Sequence, residues 1–107
     1  MSLVEREEIE RFAEKISEEV GESLEEIILF GSYATDDYVP GSDVDLAVVV
    51  EDKSSVDEKK LWSLAEEFQS RYGAVFSPKV FEKEEFDYKV KCGYSFYSEI
   101  SEEGVKL

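Results

Sequence analysis

The chain contains no histidine, a single cysteine and two prolines in 107 residues, and its 12 basic residues are outnumbered by 27 acidic ones. Without histidine, a Ser-His-Asp or Cys-His catalytic arrangement, a histidine zinc ligand and a histidine general base are all excluded. The lone Cys92 has no partner for an intramolecular disulfide, which fits a reducing compartment, and it reads as a small semi-buried hydrophobe rather than a nucleophile. A net charge of −15 repels nucleic-acid phosphates and anionic lipid surfaces, so direct binding to DNA, RNA or membrane is not expected. The N-terminal stretch Met1 to Glu8 lacks the basic start and apolar segment of a signal peptide. The longest strictly apolar run, Leu46 to Val50, is far too short to span a bilayer. A cytoplasmic location is expected, with chemistry drawn from carboxylates, hydroxyls, lysines or a metal.

What is present suffices for one core: 42% of residues are hydrophobic and 13% aromatic, and the length suits a single domain over residues 1–107. Val4, Ile9, Phe12, Ala13, Ile16 and Val20 recur mainly at helical spacing and Gly21 follows, which predicts an amphipathic helix over about 4–20. Ile27 to Phe30 is a short apolar run suited to a strand buried on both faces. Residues 31–42 carry turn chemistry, and a second strand is predicted over about 44–50. Ser54 to Asp57 reads as a helix start, and Leu61, Leu64, Ala65, Phe68 and Tyr72 define a second amphipathic helix closed by Gly73. Residues 74–81 read as a third strand, placed at an edge or irregular position by Pro78. Residues 82–107 give a mixed signal, assigned to one or two short helices. The order predicts an α/β (α+β) fold, a small mixed sheet covered by helices.

The segment that carries chemistry is GSYATDDYVPGSDVDLAVVV, residues 31–50. Strand side chains alternate, so Asp43 and Asp45 share one face while Val44 and Leu46 take the other. Two like charges side by side call for a cation, and carboxylate oxygens suit Mg²⁺ or Mn²⁺. Gly31 permits close backbone approach, and a short helix or turn opening at Ser32 offers its amide and hydroxyl to an anion such as a phosphate.

These residues resemble the signature of the minimal nucleotidyltransferases of the DNA polymerase β superfamily: Gly-Ser, ten residues, then Asp-x-Asp. Its flanks agree over essentially the whole chain. The resemblance implies that Gly31 and Ser32 hold a nucleoside triphosphate, ATP being the expected substrate, and that Asp43 and Asp45 are the catalytic metal ligands. The implied reaction is attack of an acceptor hydroxyl on the α-phosphate with release of pyrophosphate. Members of this size resemble the antitoxins of two-gene pairs whose toxin is a helical HEPN-type ribonuclease, and the resemblance implies transfer of AMP to a tyrosine of that partner. A chain this short leaves no room for an acceptor-binding domain, so a small molecule or a separate protein is the expected acceptor. The alternative is a catalytically degenerate antitoxin that neutralises its toxin by binding alone.

The sequence departs from the family where a later strand commonly supplies a third carboxylate: Ser77 or Lys79 stands there, with no acid before Glu82. A basic residue that often follows the Gly-Ser is also missing, replaced by Thr35-Asp36-Asp37. Asp36, Asp37 and Glu82 read as solvated acids, with substitution for the missing ligand as the alternative. Lys79 reads as an edge-strand guard against aggregation, with approach to a triphosphate as its alternative. Trp62, Phe68 and Tyr72 read as core. Tyr94, Phe96 and Tyr97 mark a partner interface if several are exposed together.

Overall fold

The computed structural model describes residues 4–107. Helix α1 (Arg6–Val20) starts at a capping box in which Glu5 and Glu8 satisfy each other's backbone amides, and ends where Gly21 takes φ 72°. Its apolar stripe, Ile9, Phe12, Ala13 and Ile16, is buried, and the Glu-rich opposite face is left to solvent. Strands β1 (Leu24–Phe30) and β2 (Val44–Val50) pair antiparallel. Between them stands the one-turn helix α2 (Ser32–Thr35). Helix α3 (Glu58–Tyr72) is capped by the Asp57 side chain and closed by Gly73 in the left-handed conformation, as a C-terminal glycine commonly is. It leads to β3 (Phe76–Glu82), which pairs parallel to β2. Helices α4 (Lys83–Lys91) and α5 (Ser95–Glu103) follow, and the two-residue strand β4 (Val105–Lys106) returns antiparallel to β1.

The four-stranded sheet has the order β3-β2-β1-β4. Pro78 therefore lies on an edge strand, where its missing N–H breaks no ladder. Helices α1 and α3 cover one face around Phe12, Phe68 and Phe76, whose rings pack tilted or edge-on with centroids 4.9–5.6 Å apart. Truncating such a buried phenylalanine costs about 3–5 kcal/mol, a large share of a small domain's stability. The other face is thinner: Phe86 of α4 and Ile100 of α5 pack on Ile28, Ala47 and Val49, with Phe30, Phe81 and Tyr97 around them. Among the described residues no helix is long and apolar enough to cross a membrane.

Two readings of single residues are corrected. Trp62 is 46% exposed, because the buried stripe of α3 runs through Leu61, Ala65 and Phe68 and a residue one step from Leu61 sits about 100° around the helix. Phe68 is buried and Tyr72 is partly buried against the core, as expected. Cys92 is exposed rather than semi-buried, since it caps the end of α4 where the chain turns through Gly93 at φ 79°.

Candidate functional site

The apolar run of β1 brings the chain up through the sheet to Phe30 and stops at Gly31, whose φ of 79° is a conformation that side chains disfavour. The chain turns there into α2, with the Gly31 carbonyl accepting hydrogen bonds from the amides of Ala34 (3.0 Å) and Thr35 (3.3 Å). Ser32 occupies the first position of this turn, half-buried. Beneath it, the buried Tyr33 hydroxyl accepts a hydrogen bond from the Val4 amide (3.2 Å), and its ring stacks on Tyr38 at 4.5 Å. The connecting loop is pinned further by Thr35 Oγ1 donating to Asp37 Oδ2 (2.8 Å) and by the Val39 amide donating to Ser42 Oγ (2.9 Å).

The pairing of Phe30 with Asp45 brings the end of β1 beside the start of β2. Along β2, Val44, Leu46, Val48 and Val50 enter the α1/α3 core while Ala47 and Val49 face α4 and α5, which puts Asp45 on the α4/α5 face. It is half-buried there, and its carboxylate lies so near Gly31 that a Cβ on Gly31 would sit 2.6 Å from Oδ2. Asp43 precedes the strand and is exposed. Burial holds the Asp45 carboxyl above its ordinary value, the Asp43 charge adds to this, and Lys79 opposes it. Gly31, Ser32, Asp43 and Asp45 thus converge at one corner of the sheet.

The other sequence candidates part ways. Ser77 is the register partner of Asp45 on β3, so the place directly beside Asp45 holds a hydroxyl and not an acid. Glu82 pairs with Val50 at the opposite end of the strands and is too far away to join the acid pair. Asp36 and Asp37 are exposed on the loop, with Asp37 turned back onto Thr35. Among the described residues no group of three or more histidine, cysteine or acidic side chains is gathered as a metal cage. Two carboxylates nevertheless suit a magnesium-type cation, which is commonly bound through one or two carboxylates, with substrate phosphates and water completing its octahedron.

Beside this corner lies a cleft of about 540 Å³, with Gly31, Ser32 and Thr35 on one wall and Phe96, Glu99 and Glu103 of α5 on the other. Sequence reasoning missed the α5 wall. Its placement depends on β4, since Val105 pairs with Leu29 and draws the end of α5 alongside the end of β1. Tyr88, Tyr94 and Phe96 are each at least 44% exposed, while Tyr97 is half-buried. Of the three aromatics singled out in the sequence, Tyr94 and Phe96 are thus exposed and Tyr97 is not.

A small mixed sheet with a glycine-to-helix turn facing an Asp-x-Asp strand start defines a nucleotidyltransferase fold. The chain belongs to the nucleotidyltransferase domain family, whose model matches residues 9–105. It is 33% identical over 100 residues to "Putative protein adenylyltransferase MJ0141" of Methanocaldococcus jannaschii, covering 92% of this chain and 94% of that one. Among solved structures it is similar to a toxin–antitoxin crystallised with AMP-PNP (TM-score 0.59, 23% identity, 91% of this chain and 70% of that one). It is also similar to a nucleotidyltransferase, described as putative, of Sulfolobus solfataricus (TM-score 0.53, 23% identity, 99% and 89%).

Proposed function

We propose that the chain, working as a single domain over residues 1–107 in the cytoplasm, transfers AMP from ATP to a hydroxyl of a protein partner, and that this partner is a HEPN-type toxin it neutralises. The observation that carries the reading is the Asp45 carboxylate seated against Gly31, with the Asp43 charge acting on it, at the turn that opens α2. Support comes from the relative named for protein adenylyltransfer and from the toxin–antitoxin neighbour crystallised with a nucleotide analogue. A chain of charge −15 also complements the basic surface that an RNA-cleaving partner needs.

In this reading Asp43 and Asp45 hold Mg²⁺ or Mn²⁺, and Gly31 and Ser32 contact the triphosphate through backbone and hydroxyl. A divalent cation held by Asp43 and Asp45 would supply positive charge to offset the negative charge that develops on the phosphates. The acceptor oxygen bonds to the α-phosphorus as the α-phosphorus bond to the bridging oxygen breaks. Pyrophosphate leaves with that electron pair, and the acceptor proton passes to water. With the Asp45 carboxylate seated against Gly31, a cation held there would draw the phosphates toward the turn, a positioning contribution of the kind that speeds such a step.

A second reading, neutralisation by binding alone, is favoured by Ser77 beside Asp45. One experiment separates the two. Wild type and Asp43→Asn are each co-expressed with a candidate HEPN-type toxin, and the complexes are incubated with ATP labelled on the α-phosphate. The expected result is label on the toxin with wild type and none with the variant. Equal labelling by both would remove the role given to Asp43, and neutralisation without any labelling would establish the second reading.

A further inference from the structure

The sheet face that carries Asp45 also carries an unengaged cation. In β3, Phe76 and Val80 enter the α1/α3 core and Phe81 packs toward α4 and α5, so strand alternation puts Ser77 and Lys79 on the same face as Asp45. The parallel register sets Ser77 beside Asp45 and Lys79 beside Ala47. Lys79 is therefore two residues, about 6.6 Å, farther along the strands than Asp45, within the span of a lysine side chain. Lys79 is exposed and makes no ion pair among the described residues, whereas Lys83 and Lys89 of α4 are tied to Asp87 and Glu85. Its charge acts on Asp45 against the combined effect of burial and Asp43.

Charge counting shows why this lysine matters. One divalent cation cancels Asp43 and Asp45 and leaves no positive charge over for a triphosphate. The facing wall of the cleft brings Glu99 and Glu103, which repel phosphate, and Ser77 adds no charge with which to hold a second metal ion. Whatever nucleotide enters must find its remaining counter-charge on the β3 side, and Lys79 is the cation that stands there.

We propose that Lys79 is a phosphate-holding residue of a site that takes one divalent cation: its ammonium, one strand over from Asp45 on the same sheet face, grips phosphate oxygens on the β3 side. Lys79 supplies charge and hydrogen bonds only. The inference rests on the nucleotidyl-transfer reading. It separates from the ordinary role of an edge-strand lysine, which blocks strand-to-strand aggregation and is indifferent to nucleotides.

The test uses the full chain, with calorimetric titration of ATP in Mg²⁺ for wild type, Lys79→Gln and Lys79→Arg, and unliganded melting temperatures as the check on folding. Loss of one charge-assisted phosphate contact is expected to weaken ATP binding roughly ten- to a hundredfold in Lys79→Gln, with binding largely retained in Lys79→Arg. Counting Mn²⁺ by electron paramagnetic resonance in the AMP-PNP complex is expected to give one ion per chain. Equal affinity of wild type and Lys79→Gln overturns the role of Lys79 and leaves the transfer reading standing. Two Mn²⁺ ions per complex overturn the single-cation site. Absence of any nucleotide binding by wild type takes down the transfer reading and this inference together.

Discussion

Gly31 and Asp45 occupy one another's space: a Cβ placed on Gly31 would lie 2.6 Å from Asp45 Oδ2. The relationship ties the two halves of the Gly-Ser and Asp-x-Asp signature into one steric unit. The glycine is needed twice over, once for its φ of 79° and once for the carboxylate that leans on it. Either need alone would favour glycine; together they leave little tolerance for any other residue.

Gly31→Ala is accordingly expected to lower stability by about 1–3 kcal/mol for the backbone alone, since φ 79° with ψ −158° is a combination essentially confined to glycine, with the steric conflict added. For a domain of this length each kcal/mol corresponds to about 4–8 °C in melting temperature. A double-mutant cycle apportions the two effects. In an Asp45→Ala background the steric part vanishes, so Gly31→Ala should cost less there than in wild type. Equal costs in both backgrounds would show that the carboxylate moves aside freely.

Much of this corner was legible in the sequence. The alternation of Asp-Val-Asp-Leu set Asp45 on the face away from Val44 and Leu46, and Gly31 marked the end of β1 because the apolar run stops there. Pro78 correctly marked an edge. The second strand ran from Val44 to Val50 as read, since its apolar run is bounded by the exposed acids Asp43 and Glu51. The first began at Leu24 rather than near Ile27, because Glu25 and Glu26 carry no apolar signal and their pairing with β2 passes through a register shift. Helix α1 begins at Arg6, two residues later than its apolar spacing suggested, because Val4 packs in the core ahead of the Glu5 cap. The α5 wall of the cleft was out of reach: β4 is two residues long, and no local pattern reveals a strand whose whole signal is its partner.

The pH dependence of stability should carry the signature of Asp45. Its carboxyl is held above the ordinary 3.8 in the folded chain, first by burial and then by Asp43, while the unfolded chain titrates near that ordinary value. The folded state therefore binds this proton more tightly, and the group's contribution falls as pH rises through the interval from 3.8 to the folded value. Asp45→Asn removes that burden. In metal-free buffer at neutral pH the variant is expected to melt above wild type, with the gap narrowing as pH falls toward 3.8. Mg²⁺ should raise the melting temperature of wild type more than that of the variant. A variant that melts lower at neutral pH without metal would show that Lys79 outweighs burial and Asp43 combined.

Ser77→Asp tests the same electrostatics from the opposite direction. The register puts residue 77 directly beside Asp45, so the substitution adds a third negative charge to a pair already in conflict, with Lys79 the cation acting on Asp45. Without divalent metal the variant is expected to melt below wild type at neutral pH, because close like charges are mutually unfavourable. With Mn²⁺ the order should change: three carboxylates offer more oxygen ligands than two, metal binding tightens, and ligand linkage returns stability in proportion to the logarithm of metal concentration over its dissociation constant. The informative measurement is therefore the slope of melting temperature against Mn²⁺ concentration in the presence of AMP-PNP. If residue 77 faces the metal, Ser77→Asp should give the steeper slope and a second Mn²⁺ signal in the same complex. If the slopes coincide and the count stays the same, residue 77 lies outside the coordination sphere, and the nucleotide would have to be oriented by Asp43, Asp45 and Lys79 without any ligand from that position.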